Sequence, residues 1–358
     1  MKLLLAGGGT GGHLFPAVAL AQHLLDQEPD SQVLFVGTSQ GLEQRMLPKL
    51  GLPLATVDMV GVVGRGWQGR FEMIPKLLKS FRQARRILRD FNPDLVIGVG
   101  GYASVPVLLA AKTGGIPYLI HEQNALPGLS NRLLGKGARR ICLSFQESAG
   151  SFPAERVVVT GNPLRQGLED VPALLPEPGK LLIFGGSRGA RAINQTVMAM
   201  LPLMKEWPGR PEFLHQTGEE DFAQVRQAYQ DAGLDPAQVI PFIDDMAAAY
   251  RDASLVVCRA GATTLAELAA TGRPAILIPF PFAAADHQTS NARAFDRKGA
   301  AELLPQTELN AETLAMRVQI LFNDRERLQL MAENSRLLGS PGAAQRILTE
   351  CRKLLERK

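Results

Sequence analysis

Two stretches of this 358-residue chain have the residue types and spacing to hold a phosphorylated ligand. In the first, an apolar run from Lys2 to Ala6 feeds Gly7-Gly8-Gly9-Thr10-Gly11-Gly12-His13, and a helical pattern follows from Leu14 to Leu25. Glycines let a backbone come close to a ligand, and the first free N–H groups of a helix point at an anion. The same residues also suit a tight strand-to-helix turn with no ligand. In the second, Cys258-Arg259-Ala260-Gly261-Ala262-Thr263-Thr264-Leu265-Ala266-Glu267 reads as a strand end, a small-residue turn and a helix start. Thr263 or Thr264 is placed to cap that helix. Glu267 falls in its first turns, where a carboxylate can accept two hydrogen bonds from a ribose diol; the alternative is a solvated helix glutamate. Further on, Pro279-Phe280-Pro281 precede Asp286-His287-Gln288 and a helix from Asn291. That set suits sugar hydroxyls, or simple helix capping by Asp286.

The spacing Gly7, Gly9, Gly12 satisfies G-x-G-x-x-G. A nicotinamide site wants an acidic residue at the end of the second strand for the adenosine ribose. Here that strand ends Val36-Gly37-Thr38, without a carboxylate, which counts against a dehydrogenase. Neither this loop nor the Gly185-Gly186-Ser187-Arg188-Gly189 loop further on has the Gly-Lys-Ser/Thr ending of a mononucleotide kinase.

The elements that must position these residues alternate almost throughout. Strand-like runs fall at Leu3–Ala6, Gln32–Val36, Leu54–Asp58, Leu95–Val99, Tyr118–His121, Arg140–Leu143 and Val157–Thr160. The second half adds Leu181–Phe184, Glu212–His215, Val239–Pro241, Leu255–Cys258, Ala275–Ile278 and Ala301–Leu304. Strands alternating with helices predict right-handed βαβ units and parallel sheets covered on both faces. LLAGGGTGG at 4–12 is echoed by LLIFGGSRG at 181–189, and Pro163, Pro172, Pro176 and Pro178 lie between. The reading is an α/β chain of two Rossmann-like domains, at 1–162 and 163–341, with both glycine loops facing a cleft between them. A last helical pattern, Ala343–Leu355 within 342–358, is free to pack back on the first domain.

Composition fits a soluble globular protein, with 46% hydrophobic and 21% charged residues and a mild net charge of +4. No apolar run approaches the roughly 18 residues of a membrane span, and the short N-terminal run has no signal-peptide shape. Cys142, Cys258 and Cys351 lack C-x-x-C spacing and read as reduced structural thiols of a cytoplasmic protein.

Eight motifs in order carry a resemblance: GGGTGGH at 7–13, GVGGY at 98–102, HEQN at 121–124, GNPLR at 161–165, GGSRGA at 185–190, FIDDM at 242–246, AGATTLAE at 260–267 and DHQ at 286–288. In these the chain resembles the bacterial peptidoglycan N-acetylglucosaminyltransferases, over essentially its whole length. The resemblance implies a GT-B fold and inverting transfer of GlcNAc from UDP-GlcNAc to the C4 hydroxyl of the MurNAc unit of lipid I, giving lipid II and UDP. It implies no cofactor and no nucleic-acid partner. Neighbouring readings are a GT-B transferase with another lipid acceptor, a UDP-GlcNAc 2-epimerase of the same fold, and a non-catalytic sugar-nucleotide sensor.

By that resemblance Ser187 and the helix start after Gly186 hold the UDP phosphates, and the backbone near Ile243 flanks the uracil. Ala262, Thr263, Thr264, Leu265 and Ala266 line the nucleotide, Glu267 takes the ribose hydroxyls, and Gln288 contacts the GlcNAc. Thr10, Gly11, Gly12, Asn124 and Arg165 complete the donor site. Arg165 suits a leaving diphosphate because it stays charged and binds two oxygens at once, and negative charge builds on UDP in the transition state. Arg188 stands where many family members have Gln. Displacement with inversion needs a base for the acceptor hydroxyl. His13, at the head of the first helix, is the leading candidate, and the helix N-terminus is expected to keep it neutral; the alternative is a histidine that only bonds the loop. Glu122, with His121, is the second candidate, or else organises the Asn124 loop. His23 reads as a helix-surface residue, and His215 and His287 are either structural or without an assigned role. No Asp-Xaa-Asp occurs, so no metal is expected.

Gly100, Gly101 and Tyr102 form a third glycine turn, suited to the acceptor diphosphate or to a close helix–sheet contact. Met59–Arg70 is glycine-rich, and the helix pattern Phe71–Asp90 carries an apolar stripe of Phe71, Ile74, Leu77, Leu78, Phe81 and Leu88. Lys76, Lys79, Arg82, Arg85, Arg86 and Arg89 surround it. This is either an ordinary amphipathic helix or, as the resemblance implies, a contact with an anionic membrane surface. The implied location is the cytoplasmic face of the cell membrane, peripherally held, with cell-wall synthesis proteins as further partners.

Overall fold

The structure is a computed structural model and describes residues 1–59, 73–174, 179–186, 189–205, 207–283 and 286–356. The chain forms two compact units, Met1–Arg165 with Gly342–Lys358, and Gln166–Pro341. Each is built on one parallel sheet.

In the first unit, β1 (Lys2–Gly7), β2 (Gln32–Gly37), β3 (Leu54–Thr56), β4 (Leu95–Gly100), β5 (Tyr118–Glu122), β6 (Arg140–Leu143) and β7 (Val157–Val159) lie in the order β3-β2-β1-β4-β5-β6-β7. In the second, β8 (Lys180–Phe184), β9 (Phe213–Gln216), β10 (Val239–Ile240), β11 (Ala253–Cys258), β12 (Ala275–Leu277) and β13 (Ala301–Leu303) lie in the order β10-β9-β8-β11-β12-β13. Each predicted strand run has a counterpart here. The sequence echo is therefore also a topological one: each unit reverses its strand order beside its glycine-loop strand, between β1 and β4 and between β8 and β11. Ligands of open parallel sheets bind at such reversals, outside the carboxyl ends of the strands.

Continuous apolar runs form these strands because both sheet faces are covered. Leu3 and Leu5 point into a cluster with Leu14, Leu20 and Leu24 of the helix Gly11–Gln27. Leu4 and Ala6 point the other way, toward Val107 and Leu108 of the helix Ser104–Thr113. Burial of each such leucine or valine side chain contributes about 1.5–3 kcal/mol. The helix Met73–Phe91 packs beside Ser104–Thr113. It buries Ser80, Ala84 and Leu88 and leaves Leu78 51% exposed among exposed Lys76, Lys79, Arg82, Arg85, Arg86 and Arg89. The predicted stripe thus divides: Leu88 belongs to the core, Leu77 and Phe81 are half-buried, and Leu78 faces outward. Of the predicted segment, residues 60–70, Phe71 and the Ile74 side chain lie outside the described residues. Among the described residues no helix is long and apolar enough to cross a membrane.

The C-terminal helix Ala343–Glu356 is part of the first unit. Ile347, Leu348 and Cys351 enter the cluster of Leu3, Leu5 and Leu24. Polar contacts surround them: Arg346 donates to the Thr160 carbonyl at 2.7 Å, Arg140 pairs with Glu350 at 2.9 Å, and Arg352 pairs with Glu28 at 2.8 Å. His23 lies against this helix, half-buried, with its Nε2 3.1 Å from Gln345 Oε1. The expected surface histidine is therefore a packing contact, since periodicity in one helix does not reveal a second helix laid over it.

Two histidines are wholly buried. His121 on β5 has Nε2 3.2 Å from the Gly161 carbonyl and Nδ1 3.1 Å from the Gln123 amide. Loss of solvation lowers its pKa to about 4, opposed by the Gly161 bond and aided by neighbouring His13. His215 on β9 has Nε2 3.1 Å from Asn194 Oδ1 and Nδ1 3.3 Å from the Tyr229 hydroxyl, and burial lowers its pKa to about 3.

Two outcomes follow from this packing. Leu348→Ala opens a cavity in the first unit's core and lowers unfolding free energy by about 2–5 kcal/mol, read in urea titrations. In the unfolded chain each buried histidine takes up a proton near 6.5, and in the folded chain only near 4 or 3. Their contribution to stability is therefore full above pH 6.5 and lost as pH falls toward 4. Between pH 7 and 4.5 it declines by about 2–3 kcal/mol per histidine, and His215→Gln makes the urea-measured pH dependence shallower.

Candidate active site

At the carboxyl end of β1, Gly7, Gly8 and Gly9 all have positive φ. A Cβ at Gly7 would run into the Gly100 carbonyl, and one at Gly8 would stand 2.8 Å from the Glu43 carboxyl. Glu43 is 1% exposed and accepts the Gly9 amide at 2.8 Å and the Thr38 amide at 2.8 Å. The Gly9 N–H that the phosphate-cradle reading would use is thus bonded to a carboxylate. A carboxylate does follow β2, six residues beyond Gly37, but it serves the loop rather than a ribose.

Thr10 is the N-cap residue of the helix Gly11–Gln27. Its carbonyl accepts the His13 amide at 3.3 Å, and its hydroxyl lies 3.2 Å from His13 Nδ1. The His13 ring lies beside Gly100, where a Cβ would come within 3.0 Å of Nε2. Gly101 abuts the loop too, since a Cβ there would stand 2.6 Å from the Gly8 carbonyl. The third glycine turn, with half-buried Tyr102, therefore packs directly on the first, and both bracket His13. Gly11 faces the Phe15 ring, over which the Arg165 guanidinium stacks at 4.7 Å. Arg165 thereby sits by the first turn of the same helix as Thr10–Gly12.

Glu122 ends β5 and is buried. Its Oε1 accepts the Asn124 amide at 2.9 Å and the Asn124 carboxamide at 3.2 Å. Its Oε2 accepts the Gly128 amide at 3.1 Å and Asn131 Nδ2 at 2.9 Å. Four donors on one carboxylate shape the loop that carries Asn124. Asn131 also borders Gly100, so Glu122, Asn124, Asn131, Gly100 and His13 form one neighbourhood.

In the second unit the glycine loop follows β8. Gly186 and Gly189 have positive φ, and the Gly186 carbonyl accepts the Gly189 amide and Gln216 Nε2, both at 2.9 Å. A Cβ at Gly189 would collide with the Thr217 carbonyl. The helix Arg191–Met200 then starts at Ala190 without a side-chain cap. Ser187 and Arg188 lie outside the described residues.

After β11 the N-cap of the helix Ala262–Thr271 is Gly261, again with no side-chain cap. Thr263 and Thr264 do not cap, because they already lie inside the first turn. Ala262, Thr263 and Leu265 are buried, and Thr264 and Ala266 are half-buried. Glu267 is 2% exposed and accepts the Tyr250 hydroxyl at 3.1 Å, so it is not a solvated helix glutamate. Burial and the Glu267 charge push the Cys258 thiol up. Ile243 is buried ahead of Asp245, which caps the helix Met246–Asp252 through the Ala248 amide at 2.9 Å.

Gln288 Oε1 accepts the Phe280 amide at 3.0 Å, tying its helix to the segment after β12. Asp286 has φ of 53° and accepts the Thr289 hydroxyl at 2.6 Å instead of capping the backbone. Arg259 holds the same segment: its Nη1 donates to the Ile278 and Pro279 carbonyls at 3.0 Å, its Nη2 reaches Gln306 at 2.7 Å, and it stacks on Phe280. Burial lowers its pKa to about 10, so it stays cationic at neutral pH.

Sequence reasoning missed Glu43, Arg259, Tyr250 and Asn131 as organisers of these sites. Arg259, a charged residue directly at a strand end, and Glu43, close behind Gly37 and Gly41, carried the only local signals.

Comparison with known proteins bears on both units. Residues 3–143 match the glycosyltransferase family 28 N-terminal domain, and residues 180–347 the family's C-terminal domain. The chain is 57% identical over 352 residues, covering 98% of both chains, to the UDP-N-acetylglucosamine--N-acetylmuramyl-(pentapeptide) pyrophosphoryl-undecaprenol N-acetylglucosamine transferase of Syntrophotalea carbinolica. The crystal structure of Acinetobacter baumannii MurG is similar at 35% identity, with a TM-score of 0.76 over 98% of this chain and 99% of that one. A UDP-GlcNAc 2-epimerase from Neisseria meningitidis, bound to UDP-GlcNAc, shares the fold alone, at 17% identity and a TM-score of 0.66 over 99% of this chain and 100% of that one. With two Rossmann-like parallel sheets of matching strand order and a family match in each, this chain belongs to glycosyltransferase family 28 and has its GT-B fold.

Proposed function

We infer that this chain transfers GlcNAc from UDP-GlcNAc to the C4 hydroxyl of the MurNAc unit of undecaprenyl-pyrophosphoryl-MurNAc-pentapeptide, giving lipid II and UDP. The observation that carries this reading is end-to-end likeness, through both units, to transferases bearing that name.

The donor belongs to the second unit. Glu267, buried and oriented by Tyr250, accepts the two ribose hydroxyls. The uncapped start of the helix Arg191–Met200, with Ser187, takes the diphosphate; a helix N-terminus contributes about 0.3–1 kcal/mol toward an anion. Ile243 flanks the uracil, Ala262–Ala266 line the nucleotide, and Gln288 meets the sugar.

Acceptor chemistry belongs to the first unit. With Nδ1 of His13 on the Thr10 hydroxyl, Nε2 is the nitrogen that removes the C4 hydroxyl proton. The oxygen attacks the anomeric carbon as its bond to the UDP oxygen breaks, which inverts the configuration. Arg165 meets charge developing on the leaving diphosphate. Glu122 acts through Asn124 as a positioning group, and Gly100, Gly101 and Tyr102 receive the acceptor diphosphate. No divalent metal takes part, in keeping with the absence of Asp-Xaa-Asp from the sequence. The basic outer surface of the helix Met73–Phe91 meets anionic lipid, placing the enzyme peripherally on the cytoplasmic face of the membrane.

UDP release from UDP-GlcNAc is expected only when a lipid I analogue is present; acceptor-independent isomerisation of the sugar would overturn the transferase reading. His13→Ala lowers kcat by about 100-fold or more, and near-normal turnover would remove His13 as the base. EDTA leaves the rate unchanged; a loss restored by magnesium would contradict metal independence.

A further inference from the structure

Glu43 has no part in the chemistry described so far, yet the loop under His13 is built around it. Its carboxylate is almost wholly buried and accepts the Gly9 amide, the Thr38 amide and the Thr38 hydroxyl at 2.8, 2.8 and 3.1 Å. All three partners are uncharged. Three glycines clear the space it fills: a Cβ at Gly8 or Gly37 would stand 2.8 or 2.6 Å from its side chain, and one at Gly41 would overlap the carboxyl. A buried carboxylate whose partners are uncharged donors is held by those donors, and removing it leaves them unsatisfied.

The residue after Gly9 is Thr10, whose carbonyl accepts the His13 amide and whose hydroxyl lies 3.2 Å from His13 Nδ1. Contacts therefore run from Glu43 through Gly9 and Thr10 to the imidazole. The carboxylate also fills the place where a phosphate would meet the Gly9 amide, and it adds like charge there. We propose that Glu43 is a positioning residue for the transfer reaction: it occupies the anion position of the first glycine loop and so turns a phosphate-type turn into a rigid mount for His13. This rests on the reading of His13 as the base.

The test compares full-length wild type, Glu43→Gln, His13→Ala and the double variant. Glutamine keeps the shape but can accept only one of the two amides. Glu43→Gln is expected to melt cooperatively, to lower kcat roughly 10- to 100-fold, and to leave UDP affinity and the KM for UDP-GlcNAc within about twofold. Amide exchange over residues 7–13 speeds up. In the His13→Ala background the same change removes less than about twofold more, because the two residues act as a unit. Unchanged kcat in Glu43→Gln, or losses that multiply in the double variant, would overturn the proposal. Near-normal turnover of His13→Ala would instead sink the base assignment, and exchange at residues 7–13 then decides whether Glu43 holds the loop. Should the glutamine variant not fold, Glu43→Asp keeps the charge but is too short to span both amides, and the same measurements apply.

Discussion

A parallel sheet covered on both faces confines polar chemistry to its ends. Strands such as Leu3–Ala6 and Leu255–Cys258 are buried along their length, so no side chain within them can meet a solvated substrate. Glycine turns, helix starts and charged side chains gather instead at the carboxyl edges, beside the strand reversals of each unit. His13, Gly100 and Glu122 occupy that edge of one sheet; Gly186, Arg259 and Glu267 occupy it in the other.

The two glycine loops share a pattern but not an electrostatic setting. The first rests on the Glu43 carboxylate, which takes a loop amide. In the second, the Gln216 carboxamide donates to the Gly186 carbonyl, and Arg191 at the start of the following helix pairs with Asp221 at 3.4 Å. On nearly the same backbone motif, one loop presents an amide to a carboxylate and the other a carbonyl to a carboxamide.

Charged groups near the sites are buried with their hydrogen bonds met, which offsets the cost of desolvation. Glu122 receives four donors from its own loop and the following helix. Arg273 donates to the Tyr250 carbonyl at 2.6 Å, while the Tyr250 hydroxyl donates to Glu267. Arg259 ties the end of β11 to the segment before Gln288. Such networks fix geometry more than they add stability, because removing one partner strands the others.

Local residue order was enough for the strands, the alternation with helices, the repeated βα unit and the motif residues, because backbone propensity and apolar runs act over a few neighbours. Strand ends moved by a residue or two where pairing decided them: Gln216 joins β9 because Phe184 and Ile240 lie beside it. What depended on residues far apart in sequence was not legible. The role of Glu43 needs Gly9, thirty-four positions away, and the burial of Glu267 needs Tyr250 on another helix. The place of the C-terminal helix needs the apolar face of Gly11–Gln27. The sequence by itself determined which elements form and which chemical groups stand at their ends. Only the tertiary structure decided which of those groups are buried, what they bond, and hence which loop carries charge beneath it, since burial and hydrogen bonding arise from contacts that no local pattern encodes.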